Sequence, residues 1–243
     1  MSINIVIPMA GLGSRFAKAG YAKPKPFIDV AGKPMIVRVL ENLSYPNAQY
    51  ILIAREEHLH AEAELVQQIT DHYQAKFIGI DDLTEGTACT VLFARPFINN
   101  DQPLLIANSD QIVDIKITDF IDDAKHRALD GSILTFVDKE RDPKWSFARI
   151  DSNGLVQEVR EKQAISEHAT VGIYYFTQGK TFVDSAIDMI VRNDRVNNEF
   201  YTCPVYNYAI SNGKKIGIYA INFEQMHGIG TPNDLMVYLD MIQ

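Results

Sequence analysis

Cysteine is nearly absent from this 243-residue chain: Cys89 and Cys203 lie far apart and form neither a CxxC pair nor any metal-ligand spacing. That excludes a disulfide-stapled scaffold and a thiolate metal centre, and fits two buried thiols in a reducing compartment. Positive charge is scarce as well, with 23 Lys and Arg against 31 Asp and Glu and a formal net charge of −8. Such a chain has no general attraction for nucleic acid or an anionic membrane. Small polyanions can still bind where a few cations line one pocket. No apolar run approaches the roughly 20 residues that cross a bilayer. The run from Ile5 to Pro8 is too short for a signal peptide. A cytoplasmic protein with no nucleic-acid or membrane partner is expected. Repeats, low-complexity tracts and Pro- or Gly/Ser-rich linkers are also missing.

The chain does contain 47% hydrophobic and 22% charged residues, the balance of an ordinary globular protein able to bury a sizeable core. Its first half alternates. INIVIP (3–8), YILIA (50–54), residues 76–80 and LLIA (104–107) read as strands. LLIA is the continuous apolar type that a parallel sheet buries on both faces. Periodicity predicts helices over 33–43, 56–72, 87–95 and 118–129. The second half is richer in strands, at 132–137, 147–150, 155–160, 169–176 and 215–221, with Asn153-Gly154 as a hairpin signal. Helices are predicted at 180–192, 203–212 and 232–242. Together these imply an α/β fold with a doubly wound, mixed but mainly parallel sheet in a single domain, 1–243.

The strongest chemical signal follows the first strand: Ala10-Gly11-Leu12-Gly13-Ser14-Arg15-Phe16, then Lys23-Pro24-Lys25-Pro26. A Gly-rich turn exposes backbone N–H groups that hold phosphate oxygens. A dinucleotide fingerprint wants a third Gly, but Phe16 stands there, and Pro24 and Pro26 interrupt any long helix. A P-loop wants Gly-Lys-Ser/Thr, which is absent. A plain glycine turn is the remaining alternative. Arg15 and Lys25 weigh against it, because they place two cations beyond a loop already suited to anions.

The segment GLGSRF with KPKPFIDVAGKPMI, residues 11 to 36, resembles the signature of the sugar-phosphate nucleotidyltransferases, the nucleotide-diphospho-sugar pyrophosphorylases. The resemblance continues along most of the chain. Glu85-Gly86-Thr87-Ala88 is similar to the family's G-T-A segment beneath the base. Asn108-Ser109-Asp110 stands where the family has its metal-binding Asp. Glu161-Lys162 and Val171-Gly172-Ile173-Tyr174 match the stretch around the acceptor. Asn198-Glu199-Phe200 and Gly230-Thr231-Pro232 match two later elements. PKWSF, NEFY and GTPNDL are similar to a subgroup linked to capsule and lipopolysaccharide building blocks. The resemblance implies a Rossmann-like nucleotide-diphospho-sugar transferase fold, with 1–130 as the nucleotide-binding half and 131–243 as the acceptor half. It implies transfer of a nucleoside monophosphate from an NTP, CTP by subgroup, to a small phosphorylated acceptor, a sugar phosphate for surface polysaccharide synthesis, with Mg²⁺.

The residue types agree. An NTP and a phosphorylated acceptor bring about six negative charges together, and catalysis is then positioning and neutralisation. Arg15 suits the leaving β- and γ-phosphates and Lys25 the α-phosphate. Lys162 suits the acceptor phosphate, and Glu161 the acceptor hydroxyls. Asp110, after a buried strand, suits Mg²⁺. The resemblance implies Ala10, Gly11, Gly13, Ser14, Glu85, Gly86 and Thr87 around the nucleotide, and Trp145, Gly172 and Glu199 at the acceptor site. Where the family carries W-x-D-x-G-T, this chain reads Met226-His227-Gly228-Ile229-Gly230-Thr231, so Gly228 stands at the second metal Asp. Glu224, His227, or water and phosphate oxygens are the alternatives for that coordination. Three other functions stay open: a cytidylyltransferase for a non-sugar phosphate such as phosphocholine, a glycosyltransferase on the related fold, and a catalytically silent nucleotide-sugar sensor.

Overall fold

The computed structural model describes residues 2–242. The first half runs β1 (Ile3–Pro8), α1 (Ser14–Lys18), β2 (Asp29–Val30), β3 (Lys33–Pro34), α2 (Met35–Asn42), β4 (Ala48–Arg55), α3 (Glu56–Ala61), α4 (Ala63–Tyr73), β5 (Lys76–Ile80), α5 (Thr87–Leu92), α6 (Arg95–Ile98), β6 (Leu104–Ala107), β7 (Gln111–Val113) and α7 (Ile117–His126). The second half follows with β8 (Gly131–Val137), β9 (Phe147–Ile150), β10 (Val156–Arg160), β11 (His168–Phe176), α8 (Gly179–Val191), α9 (Val205–Ser211), β12 (Ile216–Ile221), β13 (Met226–Gly228) and α10 (Pro232–Ile242).

Nine strands form one mixed sheet in the order β5-β4-β1-β6-β11-β8-β12, with the β9–β10 hairpin joined to the start of β11 through Ala169 and Phe147. β1 is parallel to β4 and β6, and β4 to β5. β11 runs antiparallel to both β6 and β8, and β12 is parallel to β8. The sheet is doubly wound and mainly parallel in its first half, as the alternation predicted. Ile3, Ile5 and Ile7 of β1 join the core on one face, and Val6 joins the core on the other. All four are buried, which is why the segment reads as an apolar run broken only by Asn4, itself buried. Helices cover both faces. α2 buries Met35, Ile36, Val39 and Leu40 on one stripe. Tyr206 of α9 stacks on Phe176 with ring centroids 4.5 Å apart, and its hydroxyl lies 2.9 Å from the Tyr175 carbonyl.

Several boundaries depart from the sequence reading. The helix expected over 56–72 breaks at Glu62, whose φ of −118° is not helical. α3 buries no residue, so no apolar stripe holds it in register with α4, and Lys23 pairs with Glu62 at 3.1 Å at the break. The helix expected over 87–95 ends at Leu92 and a short turn follows; Pro96 has no N–H to continue the ladder. The helix expected from residue 33 starts at Met35, because Lys33–Pro34 pair with Asp29–Val30. The β7–β13 pair was not foreseen. It joins Gln111–Val113 to Met226–Gly228, two three-residue strands far apart in sequence.

Gly86, before α5, has φ +123°, and a Cβ there would run into the Phe200 backbone. Neither the dihedral nor the neighbouring main chain can yield cheaply. Gly86→Ala is expected to lower stability by about 2–4 kcal/mol. Urea unfolding checks this, and a loss below about 0.5 kcal/mol would contradict the packing described.

Candidate active site

β1 and β6 lie side by side and end on the same edge of the sheet, the edge where open α/β sheets bind ligands. The glycine loop leaves β1 there, and Asn108-Ser109-Asp110 leaves β6. Between them opens a cavity of about 400 Å³ lined by Gly11, Gly13, Ser14, Arg15, Lys25, Thr87, Asn108, Ser109, Asp110 and Gly230, among others. Gly13 has φ +61°, and a Cβ on it would lie 3.1 Å from Lys25 Cβ, so the turn and the Lys25 strap pack closely only with glycine here. Gly11 has no protein atom within 4 Å of its Cβ position and simply leaves the cavity open. Pro26, Phe27 and Ile28 are buried and anchor the strap that carries Lys25.

Lys25 Nζ lies 2.5 Å from Asp110 Oδ2, with about a fifth to a quarter of each side chain exposed (21% and 24%). Asp110 is the sole carboxylate among the residues lining this cavity. Its carbonyl accepts from Ile229 N at 2.9 Å, and Gly230 packs against its carboxylate. The β7–β13 ladder sets Gly228 opposite Gln111, the residue after Asp110. A Cβ at Gly228 would meet nothing within 4 Å. His227 is turned to Asp114, 2.7 Å away, and Glu224 is exposed on the short turn before β13. Among the described residues no cluster of three or more His, Cys, Asp or Glu could hold a metal. A single carboxylate beside a phosphate-sized cavity still suits Mg²⁺, which keeps several waters and takes the rest of its shell from phosphate oxygens.

A second cavity, about 250 Å³, shares Pro8, Gly11 and Thr87 with the first and is lined by Ala10, Leu12, Leu83, Thr84, Gly86, Thr90 and Glu199. Leu12 and Leu83 are 58% and 50% exposed, so two large apolar side chains are presented where a planar base can rest. The hydroxyls of Thr84 and Thr90 lie 2.6 Å apart, and both reach the Gly86 carbonyl. Glu85 points away from both cavities to Arg195, 2.9 Å off, while its carbonyl accepts from Phe200 N at 2.7 Å.

Of the expected acceptor residues, Glu161, Lys162 and Glu199 lie close enough to influence one another's charge. Glu161 is partly buried and hydrogen-bonded by Ser146 Oγ. Burial pushes its carboxyl above the usual range, against the pull of Ser146 and Lys162. Lys162 is exposed, with its ammonium 2.8 Å from the Tyr201 hydroxyl, a bond that raises its own pKa. Glu199 lines the second cavity. Gly172 sits in the irregular stretch of β11, φ +92°, against the Asn108 side chain. Trp145 lines neither cavity; it packs edge-on against Phe136 at 5.3 Å. Sequence reasoning missed Leu12, Leu83, Thr84 and Thr90 around the second cavity, and Asn108 and Ser109 as cavity walls. It also missed Ser146 and Tyr201, the partners of the Glu161-Lys162 pair. PKWSF and NEFY contain these two last residues, but nothing in the motifs says which side chains they hold.

A glycine turn, a lysine strap and a lone carboxylate thus meet at adjoining strand ends of an α/β sheet. The nucleotidyl transferase family model matches residues 5–237, and the chain belongs to that family. It is 25% identical over 182 residues to the mannose-1-phosphate guanylyltransferase catalytic subunit beta of Dictyostelium discoideum, covering 72% of this chain and 49% of that protein. Over 177 residues it is 27% identical to the bifunctional protein GlmU of Methanococcus aeolicus, covering 72% of this chain and 40% of the relative. The chain thus spans about half or less of the length of the curated relatives it matches. The crystal structure of the nucleoside-diphosphate-sugar pyrophosphorylase from Vibrio cholerae RC9 shares the fold, with TM-score 0.82 and 24% identity over 97% of this chain and 99% of that one. No helix among the described residues is long and apolar enough to cross a membrane.

The Glu161 shift carries a sign. Its folded pKa is raised, so folding is favoured with the carboxyl protonated. That stability is present below the unfolded carboxylate pKa and is lost as pH climbs through the raised folded value. Glu161→Gln, which stays neutral, is expected to flatten this loss in a Tm-against-pH series. An unchanged slope would show that Glu161 is not the group responsible.

Proposed function

We propose that the protein transfers a nucleoside monophosphate from an NTP to a small phosphorylated acceptor, a sugar phosphate, and releases pyrophosphate. The observation that carries this reading is the Lys25–Asp110 pair, 2.5 Å apart on a cavity walled by the glycine turn and opening beside a second, apolar-lipped cavity. The family match over residues 5–237 supports it. In this reading 1–130 binds the nucleotide and 131–243 the acceptor. The base rests between Leu12 and Leu83, within reach of Ala10, Gly86 and Thr87. The triphosphate lies along Gly11, Gly13 and Ser14.

The acceptor phosphate is already an anion at neutral pH, so no side chain must act as nucleophile or strong base. One of its oxygens attacks the α-phosphorus in line. The new P–O bond forms as the bond to the bridging oxygen breaks, and pyrophosphate leaves with that electron pair. Lys25 neutralises the charge growing on the α-phosphoryl oxygens. Arg15 meets the departing β- and γ-phosphates, and Lys162 holds the acceptor phosphate. Glu161 orients acceptor hydroxyls by accepting their hydrogen bonds. Mg²⁺ held by Asp110 would supply further charge neutralisation between the two phosphorylated substrates. Glu85 and Gly172 serve by shaping the walls: one ties the turn before α5 to Arg195, the other leaves room for Asn108.

CTP is the nucleotide that the sequence resemblance favours, and a product for capsule or lipopolysaccharide synthesis goes with it. One relative named above is a guanylyltransferase, so GTP stands beside CTP as a first choice. The test pairs CTP, GTP, UTP, ATP and dTTP with sugar 1-phosphates and phosphocholine in the presence of Mg²⁺ and follows pyrophosphate. Release with a sugar phosphate supports the reading, and release with phosphocholine alone replaces the acceptor. No release from any pair, with tight binding of a finished nucleotide sugar, makes the protein a sensor. With the active pair, Lys25→Ala and Asp110→Ala should each lower kcat roughly 10²–10³-fold while leaving Tm within about 2 °C of wild type. Gly228→Asp meets no steric obstacle. It should keep the fold and reduce the Mg²⁺ needed for half-maximal rate, because it offers a carboxylate close to Asp110. A requirement that stayed the same or rose would exclude Gly228 as a position facing the cation.

A further inference from the structure

We propose that Tyr201 is a positioning residue for the acceptor, holding the Lys162 ammonium where the acceptor phosphate must dock; this rests on the reading of Lys162 given above. An exposed lysine is a charge on a flexible four-carbon stem. Fixing it costs rotamer entropy. Lys162 is nevertheless held twice by one residue. Its Nζ donates to the Tyr201 hydroxyl at 2.8 Å, and it lies 4.7 Å from the centre of the Tyr201 ring. Its backbone is in the left-handed region, φ +54°, a conformation a non-glycine residue keeps only where its surroundings impose it. Both main chain and ammonium are therefore constrained.

Tyr201 can hold because it is itself held. Burial raises the pKa of its hydroxyl, and the Glu199 carboxylate, which also faces that hydroxyl, raises it further. The residues on either side are fastened to the turn before α5. Phe200 N donates to the Glu85 carbonyl at 2.7 Å, and Ala88 N donates to the Phe200 carbonyl at 2.9 Å. Thr202 N donates to Thr87 Oγ1 at 3.1 Å. Thr87 lines both cavities and Glu199 lines the second. Tyr201 thus springs from a segment pinned to the nucleotide side of the site and reaches across to the acceptor cation. Ser146 does the same for the neighbouring carboxylate of Glu161, so each member of the Glu161-Lys162 pair has a dedicated partner from another element.

The test uses Tyr201→Phe, which keeps the ring and loses the hydroxyl. Lysines in the intact protein are labelled with trace acetic anhydride and quantified residue by residue by mass spectrometry. Inorganic phosphate serves as the probe of the acceptor subsite. In Tyr201→Phe, Lys162 should label at least threefold faster, and protecting it should take about five- to tenfold more phosphate, the effect of one ordinary hydrogen bond lost at an exposed site. Lys18 and Lys125 should label as before, and Tm should stay within about 2 °C. With the active substrate pair, KM for the acceptor should rise by the same five- to tenfold, with kcat and KM for the NTP within about twofold. Unchanged labelling and phosphate protection of Lys162 overturn the proposal, as does an equal rise in both KM values. The labelling does not depend on turnover. A protein that releases no pyrophosphate but shows the Lys162 response therefore fails the functional reading and keeps Tyr201 as the anchor.

Discussion

Two parallel strands, β1 and β6, are buried on both faces and hydrogen-bonded at Asn4 to Val6 and Leu104 to Ile106, so their carboxyl ends must open at one place on the sheet edge. The charged groups of the first cavity hang from that constraint. The glycine turn continues β1, Asp110 continues β6, and Lys25 closes the gap between them at 2.5 Å. A chain carrying a net charge of −8 has little reason to attract a triphosphate over its whole surface. In the proposed function, local placement of Arg15 and Lys25 at the edge does what global charge cannot.

The pairing of Lys25 with Asp110 also accounts for how a carboxylate can stand on the wall of the first cavity. Its charge is matched by a neighbour held on the buried strap Pro26 to Ile28. Lys25 is close enough to Asp110 to answer the carboxylate directly, and close enough to the turn to answer a phosphate. The second half adds, from a different direction, the groups that the proposed function gives to the acceptor. Ser146 and Tyr201 come from loops on either side of the β9–β11 region and converge on Glu161 and Lys162.

Much of this was legible in the sequence, for identifiable reasons. INIVIP and LLIA are apolar on both faces because they are central strands, and that pattern marks where their ends must lie. Glycine spacing marked the turn, Lys25 stood out by its place in the family motif, and Asp110 by its place directly after a buried apolar strand. The rest depends on pairings that spacing does not encode. Gly228 faces Gln111 through two three-residue strands separated by more than a hundred residues, too short to carry a periodic signal. The break at Glu62 follows from α3 lacking a buried face, which a stripe of Ala61, Leu65 and Ile69 conceals. Glu85 was placed beside the base by its motif, yet its side chain is captured by Arg195, a partner 110 residues away. Trp145, the lone tryptophan, looked suited to a sugar ring and instead packs on Phe136.

β11 carries a mechanical consequence. It belongs to the second half of the chain, yet its last residues are laddered to β6 on one side and to β8 on the other. The halves therefore share one continuous hydrogen-bonded plate and have no hinge between them. Swinging one against the other would tear main-chain bonds out of a buried sheet. Any shape change around bound molecules has to be local, against a frame that stays still.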